Sequence, residues 1–315
     1  MRQVVVTGVG IVCALGNTPS AVDSALAAGR SGVVAADDER VHLPIAGLGC
    51  ASVDVRPLLK RKKDRKLLPR AAELAIVAAH DAYGEHRSTE TALFVGVGRE
   101  PPEVGTESAL VASMTNGKLD SEKLHSSGMA VYPPLAPLKT LPNLILAHVA
   151  IQLGTMGEGG TRTGGASAGL AAVIAGFQAV AEGRSDVALV GAADSLVAAG
   201  SARDAVRCGL VSPGGAPGEA AVFFRLETEE LAVKRDARIL AKIQEGSLNC
   251  RPSRPWREPF AEQLGVCGVA SGTVWWALQL LRGMSGSINM TDRSGGYARL
   301  RWEADAWVRD TGREH

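Results

Sequence analysis

The sequence is poor in aromatic residues and has no excess of charge of either sign. Aromatic side chains make up 4% of the 315 residues, and the formal net charge is +1. The core must therefore be built mostly from small and aliphatic side chains such as Ala, Val and Leu. A net charge this close to zero argues against a general polyanion-binding role, so we predict no nucleic acid partner.

Metal-ligand spacing is also missing from the sequence. The cysteines are odd in number and scattered, with no C-x-x-C pair and no Cys/His cluster. They are Cys13, Cys50, Cys208, Cys250 and Cys267. This usage predicts free thiols in a reducing cytoplasm and no metal site.

Apolar runs long enough to cross a membrane are absent, so we predict no membrane partner. The apolar N-terminus is interrupted by Thr7, Gly8 and Gly10 and has no small-residue cleavage site, which is typical of a strand and turn rather than a signal peptide. The glycine pair could cradle a pyrophosphate, but Cys13 stands where a dinucleotide fingerprint needs its third glycine. We therefore predict a tight turn at Gly8 to Gly10, and no cofactor.

Short apolar strands alternate with helical segments along the chain. Strands are predicted at Val4–Val6, Ala92–Val97, Val187–Val190, Ala220–Leu226, Ile239–Ile243, Ser287–Met290 and Ala298–Trp302. Helices are predicted at Pro19–Ala28, Ala71–Ala82, Thr106–Met114, Leu144–Leu153, Ser167–Ala181 and Val269–Leu281. The alternation predicts a layered α/β fold. The polar, Pro-rich segment Ser247–Glu262 is predicted to connect two subregions.

A basic run, RPLLKRKKDRKLLPR, occupies Arg56–Arg70 and contains a single acid, Asp64. Such a run usually forms a solvated face. The alternative is a surface for an acidic partner such as a carrier protein. No aromatic residue interrupts the run, so stacking on nucleic acid bases is not supported.

The segment GTRTGGASAGLAAV contains a G-x-S-x-G pattern centred on Ser167, which in hydrolases presents a nucleophilic serine. A hydrolase of that type needs its histidine after the serine, and here only His315, the last residue, follows. The segment before the serine, GEGGTRT, is also not a buried apolar strand. A serine-dependent acyltransferase or esterase using Ser167 therefore remains only as an alternative.

The segment Thr163–Leu196 resembles the active-site segment of β-ketoacyl synthases, in which Thr-Ala-Cys-x-Ser-Gly precedes a helix and a strand of the form G-x-x-D-V-x-x-x-G-G-x-E. Here Gly169 matches the motif glycine, and GRSDVALVGAADS matches the strand. Similar stretches are Val4–Val33, Pro134–Gly159, Gly218–Ile243 and Leu264–Gly283. The resemblance implies a thiolase-like α-β-α-β-α fold of two related halves, residues 1–230 and a truncated 231–315.

The catalytic residues of that family are missing from their matching positions. Ala166 occupies the nucleophile position, and its methyl group cannot take an acyl group from a thioester. Ser167 lies one residue further, about 100° around the helix axis, and we expect it to cap the helix start. The two histidine motifs of the family are also absent: the first would fall near Ser247–Glu262, and Leu264–Gly268 contains no histidine.

Loss of all three groups resembles the chain length factor of type II polyketide synthases. That resemblance implies a non-catalytic cytoplasmic subunit that pairs with an active ketosynthase, bounds the tunnel of the growing chain and meets an acyl carrier protein through the complex. A homodimeric acyl-binding scaffold stays open as a further alternative.

The resemblance also implies where the partner would lie. A strand at about residues 160–163, which contains Arg162 and Thr163, is expected to cross the dimer axis. The helix predicted at Thr106–Met114 is expected to project toward the tunnel of the partner. Leu110 and Met114 would face that tunnel, because side chains at i and i+4 share one face of a helix.

Overall fold

The computed structural model describes residues 1–36, 42–98, 106–250, 256, 258–292 and 296–305. The helices are α1 (Pro19–Ala27), α2 (Arg70–Tyr83), α3 (Thr106–Ala112), α4 (Ser121–Lys123), α5 (Met129–Val131), α6 (Ala136–Lys139), α7 (Leu144–Leu153), α8 (Ala168–Ala181), α9 (Ala199–Arg207), α10 (Glu229–Lys234), α11 (Ala261–Leu264) and α12 (Ser271–Leu281). Short 3-10 helices span Arg56–Leu58, Lys62–Leu67 and Gly268–Ala270, and one π-helical turn spans Leu124–Gly128.

The strands are β1 (Val4–Cys13), β2 (Val33–Val34), β3 (Leu48–Gly49), β4 (Ala92–Val97), β5 (Met114–Thr115), β6 (Lys118–Leu119), β7 (Gly159–Thr163), β8 (Val187–Ser195), β9 (Glu219–Thr228), β10 (Ala241–Cys250), β11 (Gly286–Thr291) and β12 (Gly296–Ala304). Eight of them form one mixed sheet in the order β11-β12-β10-β1-β9-β8-β4-β7. The predicted α/β fold is therefore confirmed.

The same arrangement of one helix and three strands occurs twice in the chain. Helix α8 leads into β8, which pairs antiparallel with β9, and β9 pairs antiparallel with β1. Helix α12 leads into β11, which pairs antiparallel with β12, and β12 pairs antiparallel with β10. The first copy is extended by the parallel strands β4 and β7. Within the described ranges the second copy has no such extension.

The core lies on both faces of the first copy. One apolar cluster fills the space around α8 and α12, between the strands of the two copies. A second cluster packs α2 and α7 against the opposite face of the first copy. Twelve of the 14 residues of α8 are buried, which confirms that a helix apolar on every side is enclosed by other elements. Trp276 of α12 lies with its ring centroid 4.3 Å from that of Phe224 and 6.0 Å from that of Trp302, so it links the strands of both copies.

The outer face of the second copy is polar. Side chains that alternate with the buried ones on its strands include Lys242, Glu245, Ser247, Asn249, Tyr297, Arg299, Arg301 and Glu303. Arg301 approaches Glu245 at 3.9 Å across the strands, and the Tyr297 hydroxyl donates to Asn289 Oδ1 at 2.8 Å. An antiparallel sheet with one apolar and one polar face can face water on the polar side. This face therefore does not need a covering layer of helices to be stable.

The prediction of a tight turn at Gly8 to Gly10 is wrong, because both glycines lie inside the continuous strand β1. A Cβ atom on Gly8 would lie 2.1 Å from the carbonyl oxygen of Ala82, and one on Gly10 would lie 2.0 Å from that of Ala78. These glycines let helix α2 approach the sheet closely, which is a packing role rather than a phosphate-binding one.

The connection predicted at Ser247–Glu262 is also wrong in part. Its first residues continue strand β10, and its last residues enter α11; residues 251–255 and 257 lie outside the described ranges. The polar residues of β10 face outward, so the strand carries no continuous apolar signal. No described helix is long and apolar enough to cross a membrane.

Replacing Gly10 with Ala should lower the free energy of unfolding by at least about 2–3 kcal/mol, because the added methyl group must displace the Ala78 carbonyl. Urea denaturation of the purified chain measures the change. Gly160 in β7 is the matched control, since its nearest heavy atom would lie 3.6 Å from an added Cβ. Gly160→Ala should leave stability unchanged or slightly raised. Equal effects of the two substitutions would contradict this account of β1.

Candidate functional site

The turn between β7 and α8 holds the position at which a nucleophile would stand. Gly164 has a φ of 151°, in the region that favours glycine, and the Ala168 N–H donates to the Gly165 carbonyl at 3.0 Å. A Cβ on Gly165 would lie 2.5 Å from Asp292 Cβ, so the turn is pressed against the second copy. Ala166 follows, partly buried, with a methyl group that offers no chemistry.

Ala166 lies where two cavities meet. The smaller has a volume of about 180 Å³ and extends toward α9, whereas the larger has a volume of about 1060 Å³ and extends toward α11. Leu210 and Gly268 line both cavities together with Ala166. The exposed thiol of Cys208 lines the smaller one. Among the described residues that line either cavity there is no histidine, lysine or arginine.

Ser167 points away from both cavities. It is 7% exposed, and its hydroxyl donates to Asp292 Oδ2 at 2.8 Å. The expectation that Ser167 caps helix α8 is wrong, because its backbone is helical and its side chain makes no capping bond. The carboxylate of Asp292, a charged acceptor supplied by the second copy, takes the hydroxyl instead.

Asp194 joins the two copies beside the turn. It is the penultimate residue of strand β8, is 6% exposed, and accepts hydrogen bonds from the backbone N–H groups of Ser195 at 2.9 Å and Val269 at 3.0 Å. Burial raises the pKa of the Asp194 carboxyl to about 6. The approach is so close that a Cβ on either Gly98 or Gly268 would meet the Asp194 side chain. Asp194 was missed at the level of the sequence, although an acid near the end of an apolar strand has to find buried donors and is a usable signal.

Glu258 is a second carboxyl at the site, and no pattern in the sequence pointed to it. It lines the larger cavity, and the Cys267 N–H donates to both of its oxygens, at 3.1 and 3.0 Å. Burial raises the pKa of Glu258 to about 7, and the charge of Asp194 contributes to the rise. The site can therefore hold and release protons on carboxyl groups, but Ala166 supplies it with no nucleophile.

The strand predicted before Ala166 is present as β7, one residue longer at its start. Its residues Arg162 and Thr163 lie on the edge of the eight-stranded sheet, paired with β4 on one side. The Arg162 guanidinium lies 6.0 Å from the ring centroid of Phe94, and Thr163 is exposed. On the other side of β7 no described strand is paired.

Leu110 and Met114 do not share one helix face, so the reasoning that paired them is wrong. Helix α3 ends at Ala112, and Met114 begins the strand pair β5–β6. The turn of this hairpin is Asn116-Gly117, with positive φ at both residues, and Asn-Gly is a strong hairpin signal that the helical reading missed. Leu110 is 50% exposed and Met114 is 43% exposed.

Both residues belong to a set of large exposed apolar side chains between residues 110 and 156, which we call the apolar surface. Its members are Leu110, Val111, Met114, Leu119, Met129, Val131, Leu135, Leu138, Leu141, Ile151 and Met156. A contiguous exposed apolar patch marks an interaction surface, so this stretch of the chain is a candidate for one.

The basic run covers the outside of the neighbouring 3-10 helices. All four of its arginines are paired: Arg56 lies 2.7 Å from Asp54, Arg61 2.9 Å from Asp64, Arg65 3.9 Å from Glu73, and Arg70 2.8 Å from buried Glu219. The lysines of the run are exposed: Lys60, Lys62, Lys63 and Lys66.

Comparison with known proteins places the sequence among condensing enzymes. Residues 1–223 match the family model described as the N-terminal domain of beta-ketoacyl synthase. Nodulation protein E of Rhizobium meliloti (strain 1021) is 27% identical over 264 residues, which cover 77% of this chain and 62% of the relative. The same figures hold for nodulation protein E of Rhizobium sp. (strain N33). The chain thus spans about 62% of the length of these curated relatives.

Solved structures show the same fold at low sequence identity. The ishigamide ketosynthase/chain length factor matches with a TM-score of 0.74 and 18% identity, over 96% of this chain and 99% of that one. A β-ketoacyl synthase from Burkholderia phymatum STM815 matches with a TM-score of 0.74 and 17% identity, over 97% and 100%. A chain of the type II PKS complex AntDE:AntF matches with a TM-score of 0.72 and 16% identity. The match covers 97% of this chain and 100% of that one. The thiolase-like α/β fold is therefore confirmed.

Replacing Asp194 with Ala should cost about 1–3 kcal/mol of unfolding free energy at pH 5, because the Val269 N–H loses its buried acceptor. Since the folded-state pKa of Asp194 is raised, the stability gained from its neutral form is lost as the pH rises through about 6. The cost of the substitution should therefore be smaller at pH 7.5 than at pH 5, as measured by urea denaturation.

Asp204 provides the control for this prediction. It lines the same cavity and lies 3.6 Å from the exposed Arg207, so Asp204→Ala should change stability by less than about 0.5 kcal/mol. A cost of Asp194→Ala that grows with pH would contradict the role assigned to the buried carboxyl.

Proposed function

Because the chain belongs to the β-ketoacyl synthase family, we propose that it is a non-catalytic subunit of a carrier-protein-dependent condensing complex, similar to a chain length factor. The observation that carries the proposal is the position of Ala166, which stands at the junction of two cavities where the family has its cysteine. A methyl group there cannot form an acyl-enzyme intermediate. The turn is thus the frame of an active site without its nucleophile.

The cavity walls support the same conclusion. Condensation in this family relies on two basic residues, usually histidines, to drive decarboxylation and to stabilise oxyanions. The described lining residues supply carboxyl groups instead, chiefly Asp194 and Glu258.

We propose an active ketosynthase as the partner, bound to β7 and the apolar surface. An unpaired sheet edge is a template for pairing with another chain, and large exposed apolar patches mark protein interfaces. Strand β7 supplies the edge through Arg162 and Thr163. Leu110 and Met114 are then the candidates for contacts with the partner's tunnel. The ishigamide ketosynthase/chain length factor, which has this fold, supports a pairing of this kind.

The exposed lysines of the basic run offer a surface for an acyl carrier protein, an acidic partner that a positive patch attracts. One of the solved structures with this fold is that of a type II PKS acyl carrier protein in complex with its ketosynthase. A subunit of this kind works in the cytoplasm. Its two related parts would be residues 1–230 and the shorter 231–315, with β10 as the first strand of the second part.

The serine-dependent alternative finds no support in the site, because Ser167 is buried against Asp292 and lines neither cavity. A homodimeric acyl-binding scaffold would use the same sheet edge and the same apolar surface. The scaffold differs from the proposed heterodimer only in the identity of the second chain. The co-purification experiment below therefore asks which chain is bound.

Ala166→Cys should restore neither condensation nor stable acylation in the isolated chain, because the substitution supplies a thiol without histidines. The measurement is product formation from acyl- and malonyl-carrier protein, together with the intact mass of the variant. The positive control is the ketosynthase partner with its own cysteine. Turnover by the Ala166→Cys chain alone at a rate near that of the control would contradict the proposed function.

Replacing Leu110 and Met114 together with Glu should reduce co-purification with a ketosynthase at least tenfold, because two charges would have to be buried in the interface. The chain is co-expressed with a cysteine-bearing ketosynthase of the same genome and analysed by size exclusion and intact mass. The control is Val233→Glu on α10, where the valine is 66% exposed and outside the apolar surface.

The control variant should co-purify like the unmodified chain. A homodimer that forms in the presence of the ketosynthase, with no mixed species, would replace the proposed heterodimer by the scaffold alternative.

A further inference from the structure

The larger cavity beside Ala166 contains a carboxyl group that the proposed function does not use. Glu258 lines this cavity together with Trp256 and Ser271. The Cys267 N–H donates to both oxygens of Glu258, which holds the carboxyl at the cavity wall. When the carboxyl is neutral, one oxygen can accept this bond while the other keeps a proton that it can donate.

Burial is the main reason that the pKa of the Glu258 carboxyl is raised to about 7, and the charge of Asp194 on β8 adds to the rise. Hydrogen bonds with Ser271 and Cys267 act in the opposite direction and favour the carboxylate. The buried thiol of Cys267 lies beside Glu258, and Glu262 of α11 lines the same cavity. The described lining residues supply no cation to pair with an ionised Glu258. Both protonation states are therefore populated near neutral pH.

The cavity is large enough for a flexible ligand. Its volume of about 1060 Å³ is at the upper end of small-molecule sites, which span about 300–1,000 Å³. It reaches from Ala166 past Ala216 to Glu262. Ala166 and Gly268 line this cavity together, and the N–H of Cys267, the residue before Gly268, holds the Glu258 carboxyl. A carbonyl group bound beside Gly268 is therefore the group that Glu258 can reach.

We propose that Glu258 determines ligand specificity in this cavity: as a neutral acid it donates a hydrogen bond to the carbonyl oxygen of an uncharged acyl thioester, and as a carboxylate it repels ligands that carry a carboxylate. Only the identity of the ligand, a carrier-bound acyl group, rests on the proposed function. No bond forms or breaks, and the proton stays on Glu258 while the ligand is bound.

The direction of the pH dependence follows from the raised pKa. Lowering the pH through about 7 converts Glu258 into the donor form, so an uncharged thioester binds more tightly in acid. Between pH 8 and pH 6 the neutral fraction of a group with a pKa of about 7 rises about tenfold. The dissociation constant of such a ligand should fall by about the same factor, in agreement with linkage.

The test is a titration of the full chain with acetyl-pantetheine at pH 6, 7 and 8, followed by calorimetry or ligand-observed NMR. Binding by the unmodified chain should weaken about tenfold from pH 6 to pH 8. Glu258→Gln should bind with little pH dependence, because an amide donates at every pH. Glu262→Gln is the matched control on the same cavity wall and should retain the pH dependence of the unmodified chain.

Malonyl-pantetheine is the second ligand of the test, because it differs from acetyl-pantetheine by an added carboxylate. It should bind more weakly than acetyl-pantetheine to the unmodified chain at pH 8, and the difference should narrow in Glu258→Gln. The inference is overturned by pH-independent binding, by a Glu258→Gln variant that follows the unmodified chain, by tighter binding of the malonyl compound at pH 8, or by no saturable binding at any pH. Circular dichroism confirms that each variant is folded.

The failure of this inference is distinguishable from the failure of the proposed function. If the chain co-purifies with a ketosynthase but binds acetyl-pantetheine equally at all pH values, only the role of Glu258 is lost. If pH-dependent binding is observed without co-purification, the role of Glu258 stands and the heterodimer is lost.

Discussion

The rest of the structure depends on how closely helix α8 is packed between the two copies of the helix-and-strand unit. A Cβ on Gly96 of β4 would lie 2.5 Å from the Cα of Gly169, and one on Gly169 would lie 2.3 Å from the Val269 carbonyl oxygen. On the next turns, a Cβ on Gly176 would lie 2.1 Å from a methyl group of Val190. The backbones of helix and strand are therefore in direct contact, and the N-terminus of α8 has little freedom to move. This contact holds Ala166 at the junction of the cavities.

If the chain has the proposed function, the same constraint explains how the turn of an active site can persist without its nucleophile. Changing the turn would require movement of Gly165 against Asp292 and of Gly169 against the second copy, which would disturb the core. Exchanging the nucleophile for Ala166 adds no atom that has to be accommodated. Buried carboxyls then define the electrostatics of the site, and they join the copies: Asp194 accepts from Val269, and Asp292 accepts from Ser167.

The sequence predicted most elements because their apolar patterns are strong and local. Strand β4 and helix α7 have the predicted limits, and the all-apolar α8 is buried as expected. The errors come from long-range contacts that local patterns do not encode. Gly8 and Gly10 were interpreted as a turn because the reason for these glycines, close contact with carbonyl groups of α2, lies some seventy residues away in the chain and is not visible in the local pattern. Glu258 could not be identified as a site residue because its cavity exists only once α11 and α12 have packed against the turn.

The two sides of the molecule differ in their need for a partner, and this difference can be traced to side-chain polarity. Within the described ranges the second copy lacks the strands that extend the first, and such an arrangement can leave an apolar sheet face uncovered. Here that face carries charged and polar residues such as Arg301 and Glu245, which are compatible with water. The apolar side chains that remain exposed are concentrated between residues 110 and 156, and a sheet edge stays unpaired at β7. Any stabilisation gained from association must therefore come mainly through residues 110–156 and the edge of β7, because burial of apolar area is the main driving force for association.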